Sequence, residues 1–101
     1  MTKVIGIVSY KEIKDEDKLA AYAKIAPATV AKFGGRFIAR GYPVALRESG
    51  ANERTVVVIW ERLEDAQEWY DSPDYQACLD VLGDGAVRDM RFVEHLQQQD
   101  H

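Results

Sequence analysis

The chain has a single cysteine, Cys78, which excludes an intramolecular disulfide and any cysteine-rich metal site. Cations are in deficit: 13 lysines and arginines face 17 aspartates and glutamates, leaving a net charge of -4 and a pI near 5.1. Phosphate neutralisation dominates nucleic-acid binding, so an acidic chain of this kind is not expected to have a nucleic-acid partner. No run approaches the ~20 apolar residues that span a bilayer, and no membrane partner is expected. The opening Met1-Thr2-Lys3-Val4-Ile5-Gly6-Ile7 lacks the longer apolar region and small-residue cleavage site of a secretory signal, so the expected location is cytoplasmic. There is no Gly-rich phosphate loop, no G-x-S-x-G elbow and no H-E-x-x-H. Neither a metal nor a cofactor is expected.

What is present is ordinary globular material, 47% apolar and 30% charged over 101 residues, enough for one core and hence one domain over 1–101. Its strongest local signal is Arg54-Thr55-Val56-Val57-Val58-Ile59-Trp60, where β-branched and aromatic residues favour a strand. Val56, Val58 and Trp60 point one way and Val57 and Ile59 the other. Both faces are apolar, so both need cover.

Residues 3–10 read as a first strand of the same two-sided kind. Asp15 is a helix cap, with Glu16 and Asp17 at the positive end of the helix dipole. Leu19, Tyr22, Ala23, Ala26, Val30 and Phe33 then form one apolar stripe at helical spacing. Pro27 removes a backbone donor and predicts a kink near Ala23; Gly34-Gly35 ends the helix. Arg36–Arg40 is a second strand, with Arg36, Ile38 and Arg40 expected on one face. Gly41-Tyr42-Pro43 breaks it, and Val44–Arg47 is a candidate continuation before the loop Ser49-Gly50-Ala51-Asn52. Glu64–Tyr70 is a short helix. Ser72-Pro73 caps and starts another, striped by Tyr75, Cys78, Leu79 and Leu82. Val87–Leu96 is the last strand, and 97–101 a flexible tail.

The order β-α-β-β-α-β is the ferredoxin-like, split βαβ pattern of an α+β fold. Right-handed crossovers put the first and third strands at the centre of a four-stranded antiparallel sheet. The helices lie on one face and leave the other bare, and a bare apolar sheet face is expected to close against a second copy in a homodimer. RNA-recognition modules share this topology but stack bases on aromatics of the central strands. Here those positions hold Ile5, Ile7, Val57 and Ile59.

Two segments, Ala31-Lys32-Phe33-Gly34-Gly35-Arg36-Phe37-Ile38-Ala39-Arg40-Gly41 and Glu68-Trp69-Tyr70-Asp71-Ser72-Pro73-Asp74-Tyr75-Gln76, flank the strand Val56–Glu61. Together they resemble the domain-of-unknown-function family numbered 1330, within the dimeric α+β barrel superfamily. The resemblance spans residues 3–95. It implies a ferredoxin-like protomer and a dimer of facing sheets, and relatives in the superfamily include cofactor-free monooxygenases, lactone isomerases and polyketide cyclases. It also implies a ligand site between sheet and helices. One departure from the family is that Ser49 intervenes between Glu48 and Gly50.

Several residues are candidates for chemistry. Arg36 and Arg40 form a pair suited to a carboxylate or enolate oxygen, or else are solvated or paired across the dimer with Glu48 or Glu61. Tyr22, on the inward stripe, either hydrogen-bonds a ligand or is core with its hydroxyl at a cavity edge. Trp60 walls a ligand or packs in the core. His95 is the histidine outside the extreme terminus and the candidate base near neutral pH, with Glu48 the alternative. His101 lies in the tail. Cys78 falls on an apolar stripe, where a thiol behaves as a small hydrophobe. The expected function is binding of a small anionic or carbonyl-bearing molecule in a sheet–helix pocket, with cofactor-independent chemistry. The competing expectation is a non-catalytic dimeric binding or accessory protein whose cavity is filled by Tyr22, Phe33, Trp69 and Tyr75. A cavity below roughly 300 Å³ favours the second.

Overall fold

A computed structural model describes residues 2–96; the expected flexible tail at 97–101, with His101, lies outside the described residues. The chain runs β1 (Val4–Ile13), α1 (Glu16–Lys32), β2 (Arg36–Gly41), β3 (Thr55–Trp60), α2 (Leu63–Asp71), α3 (Pro73–Leu82) and β4 (Ala86–Glu94). The four strands form one antiparallel sheet in the order β2-β3-β1-β4. This is the ferredoxin-like arrangement, with the two apolar strands central.

Burial alternates along the central strands. Val4, Val8 and Tyr10 of β1 and Val56, Val58 and Trp60 of β3 are buried on the helix-covered face, while Ile5, Ile7, Val57 and Ile59 are only partly covered on the other. On that open face Val93 pairs with Ile5 and is half exposed. The open face therefore presents an apolar patch, with the Arg91–Asp89 ion pair opposite Ile7 and Ser9 at its β4 edge.

Local chemistry sets the helix ends. The Asp15 side chain accepts from the backbone N–H groups of Asp17 and Lys18 at 3.0 and 3.1 Å, satisfying two otherwise orphaned donors. α1 continues through Pro27 as one helix. Its end uses two glycines for different reasons: Gly34 takes φ +88°, whereas at Gly35 a Cβ would sit 2.7 Å from Val30 Cγ1 and 2.8 Å from the Trp60 ring. Ser72 joins α2 to α3, donating to the Trp69 carbonyl at 2.7 Å and accepting from the Tyr75 N–H at 3.1 Å. That double role fixes where Tyr75 enters the core.

Two expectations about β2 are corrected. Val44–Arg47 is not a strand; the segment 42–54 crosses from β2 to β3 as irregular chain, with Val44 fully exposed. Pro43 has no N–H to pair, and Gly41 at φ +146° turns the backbone away. More consequentially, Arg36 and Arg40 do not share a face. Arg36 pairs with Ile59, Phe37 with Val58, Ala39 with Val57 and Arg40 with Val56, so a bulge at Ile38 absorbs one residue. Directly paired residues of an antiparallel ladder lie on the same face. Arg36 therefore stands on the open face with Ile59, and Arg40 on the covered face with Val56. An extra residue in one strand shifts the alternation by one, which simple period-two counting does not anticipate.

Candidate functional site

On the covered face, Tyr10 in the second half of β1, Arg54 just before β3 and Arg88 near the start of β4 lie side by side. Tyr10 pairs with Arg88, and the Tyr10 N–H donates to the Arg54 carbonyl at 2.9 Å. The Tyr10 ring is flanked by both guanidiniums, at 6.0 Å for Arg54 and 5.6 Å for Arg88. Arg40 enters from β2 and lies 5.0 Å over the Phe37 ring. These groups surround a cleft of about 70 Å³ between the sheet and α1, walled by apolar side chains such as Val8, Ala26, Val56, Val58 and Met90.

The cleft's polar element is a three-membered network. Arg88 donates to the Tyr22 hydroxyl at 3.1 Å and to the Tyr75 hydroxyl at 3.2 Å, and the two hydroxyls are 2.7 Å apart. The Arg88 guanidinium also lies 5.2 Å over the Tyr22 ring. Hydrogen-bond capacity sets the direction of the phenol–phenol bond. Tyr75 is completely buried, and among the described residues its hydroxyl meets, apart from Tyr22, only Arg88, which cannot accept. Tyr75 must therefore donate to Tyr22, since otherwise its proton would be buried without a partner. Tyr22 then accepts twice and retains its own O–H as a free donor, and Tyr22 lines the cleft.

Electrostatics keep this donor protonated. Burial pushes the Tyr22 phenol far above its ordinary value and Tyr75 adds to the rise, outweighing the pull of Arg88. Burial likewise raises Tyr75, against the opposing influence of Arg88. Burial disfavours the charge on Arg88, but the adjacent phenol oxygens of Tyr22 and Tyr75 more than compensate and the guanidinium is held above its ordinary value. Among the described residues no carboxylate forms an ion pair with Arg40, Arg54 or Arg88. Among the described residues no acidic side chain lines the cleft.

The structure thus brings together Tyr22 and Arg40 of the residues singled out from sequence, and adds Arg54 and Arg88. The other four lie elsewhere. Arg36 is exposed on the open sheet face. Trp60 is 1% exposed in the core, stacked 5.2 Å from Trp69. Exposed His95 follows β4, its N–H donating to the Lys3 carbonyl, about 23 Å along the strand from Arg88 at ~3.3 Å per residue. Glu48 sits exposed in the loop 42–54 at φ +53° and does not line the cleft. Arg88 is not among the residues singled out from the sequence. Its signal was the alternation of β4, in which Arg88, Met90 and Phe92 form one side.

Among the described residues no group of three or more histidine, cysteine, aspartate and glutamate side chains is placed to hold a metal ion, and no helix is long and apolar enough to cross a membrane. Burial raises the Cys78 thiol, with Asp74 adding to it.

The model of the Domain of unknown function (DUF1330) family matches residues 4–96. The chain belongs to that family. No curated protein matches it. Among solved structures, the chain is similar to a protein of unknown function from Rhodopseudomonas palustris, with TM-score 0.71 and 12% identity over 94% of this chain and 84% of that one. It is also similar to SnoaB, a cofactor-independent oxygenase from Streptomyces nogalater, with TM-score 0.67 and 13% identity over all of both chains. A third similar structure is a dimeric ferredoxin-like protein of unknown function from Bacteroides fragilis, with TM-score 0.57 and 16% identity over 92% of this chain and 96% of that one. At these identities the likeness shows a shared fold.

Proposed function

We propose that this DUF1330 protein is a single-domain cytoplasmic homodimer, joined through the open sheet face, that binds a small anionic or carbonyl-bearing molecule in the cleft between sheet and α1. The observation that supports it best is the Tyr22–Tyr75–Arg88 network, which leaves one phenolic O–H and several guanidinium donors aimed at a cleft without a counter-carboxylate. Donors fixed in an apolar surrounding stabilise negative charge that develops on a ligand oxygen, as in an oxyanion hole. Tyr22 donates to that oxygen and Arg40 holds a neighbouring negative group. With Tyr22 held protonated, its role is hydrogen-bond donation rather than proton abstraction. The cofactor-independent oxygenase among the similar structures suits chemistry that proceeds by stabilising an anionic form of the substrate, as an analogy of fold.

A second possibility, a non-catalytic dimeric accessory protein with no open pocket, is favoured by one observation. The cleft of about 70 Å³ is well below the roughly 300 Å³ of ordinary ligand sites, and Tyr75 and Trp69 fill the space beneath it.

Native mass spectrometry separates the two, because one spectrum reports both assembly and bound small molecules. A dimer with added mass that disappears in Arg40→Ala, the dimer persisting, is the expected result. A bare dimer whose ligand screen is unaffected by Arg40→Ala supports the accessory role, and a monomer refutes closure of the open sheet face.

A further inference from the structure

Resting on the ligand-binding role proposed above, we infer that the cleft is built for a dianion, a short-chain dicarboxylate or its equivalent, held by Arg88 and Tyr22 at one end and by Arg54 and Arg40 at the other. The chain has seven arginines and 17 acidic residues; among the described residues three arginines and no acid line this one cleft. No lysine lines it either. Arginine is the cation that grips carboxylates with two parallel hydrogen bonds. A single negative group would engage Arg88 and Tyr22 and leave the charge of Arg54 and Arg40 uncompensated beside it.

The geometry sets the length of the ligand. Arg54 and Arg88 lie 6.0 and 5.6 Å from the same Tyr10 ring centroid, so their guanidinium carbons are less than about 12 Å apart. A two-pronged guanidinium–carboxylate contact spans roughly 4 Å carbon to carbon, so two such contacts leave at most about 4 Å between the carboxylate carbons. Two methylene-sized carbons fill that gap. The walls between the cations are apolar, from Val8, Val56 and Met90, and match such a backbone. The phenolic O–H left free on Tyr22 adds one donor at the Arg88 end, where a carboxylate or an adjacent carbonyl oxygen accepts it.

The test titrates the full-length protein with succinate and with butyrate, which share a four-carbon chain and differ by one carboxylate. The readout is NMR chemical-shift change at the cleft residues. Succinate is expected to bind at least tenfold more tightly than butyrate. Arg54→Met is expected to bring succinate down to the butyrate level without altering butyrate, while Arg47→Met, which removes one exposed loop charge remote from the cleft, preserves the preference. Equal binding of the two acids overturns the dianion inference and leaves the cleft as a site for single anions. A preference lost equally in Arg47→Met shows net-charge attraction alone and also overturns it. Binding of neither acid overturns both the inference and the anion-binding role on which it rests.

Discussion

Replacing Arg88 by methionine separates a functional arginine from a structural one, because the two predict opposite effects on stability. In the folded protein the Arg88 guanidinium donates at 3.1 and 3.2 Å to two phenol oxygens and lies 5.6 and 5.2 Å from the centroids of the Tyr10 and Tyr22 rings. Hydrogen bonds to a charged group contribute about 1.5 kcal/mol each, and each cation–π contact about 0.5–1 kcal/mol, so removal forfeits ~4–5 kcal/mol. Against this, partly burying a cation without a carboxylate costs several kcal/mol, and a methionine of similar length adds apolar burial worth about 2 kcal/mol. The phenol–phenol bond at 2.7 Å survives the change. The terms nearly cancel, and Arg88→Met should fold with stability within about 1 kcal/mol of the parent, a Tm change of no more than about 4–8 °C in a domain of this size. Anion binding, measured on the same samples by titration, should be lost. Arg88→Lys should also lose it, since an ammonium lacks the planar fork that reaches both phenols and still grips a carboxylate with two parallel hydrogen bonds. Thermal unfolding by circular dichroism decides the matter: a loss above about 2 kcal/mol with binding retained makes Arg88 a brace for the aromatic core and refutes its role in the site.

Two further changes probe the scaffold beneath the cleft. Gly35→Ala places a methyl 2.7 Å from Val30 and 2.8 Å from Trp60 and should cost about 1–3 kcal/mol by overpacking, with a shift in tryptophan fluorescence; Gly34→Ala, at φ +88° with open space around it, should cost about 1 kcal/mol through backbone strain without that shift. Urea midpoints and emission spectra check both, and a fluorescence shift in Gly34→Ala alone would contradict the assignment. At high pH, Tyr22 and Tyr75 are raised by burial above the phenol value of 10.0, so the folded chain keeps protons that the unfolded chain releases. Stability is therefore fully present below pH 10 and falls as pH rises beyond it. Ultraviolet titration should show Tyr22 and Tyr75 ionising only on unfolding, and Tyr75→Phe should remove one of these two late ionisations. Five phenols ionising together in the folded protein would contradict the buried network.

The architecture was legible from local patterns because each element states its own period and ends. The two-sided apolarity of Val56–Trp60 placed β3 at the sheet centre, Asp15 and Ser72 marked helix starts that the backbone uses as caps, and Gly34 marked a stop. The site was legible only in part, because it is assembled across strands. Tyr22 could be read from the α1 stripe, which says which side faces the core. Arg40 could be read as charged, but not its face: the bulge at Ile38 depends on how β2 pairs with β3, a contact between segments separated by the loop 42–54. Arg54 and Arg88 were the hardest. Nothing in either local segment says that Tyr10 will lie between them, since that neighbourhood exists only once β1 has paired with both β3 and β4.

The bulge also explains why this cleft gathers cations in an acidic chain. Had β2 kept strict alternation through Ile38, Arg40 would have joined Arg36, Ile59 and Val57 on the open face, placing two positive charges on the surface proposed to meet a second copy. Two-fold symmetry would then bring each protomer's pair towards the same apolar sheet, and desolvating them there would weaken the dimer. By absorbing one residue, the chain keeps Arg40 off the open face, where Arg36 and the Asp89-paired Arg91 stand, and turns it towards the cleft, where it stacks on Phe37. One irregularity in an edge strand thereby spares the open face a further cation and adds one to the cleft. Deleting Ile38 should remove the bulge yet leave Ala39 opposite Val57 and Arg40 opposite Val56, so Arg40 should still face the cleft and anion binding, measured by titration, should survive.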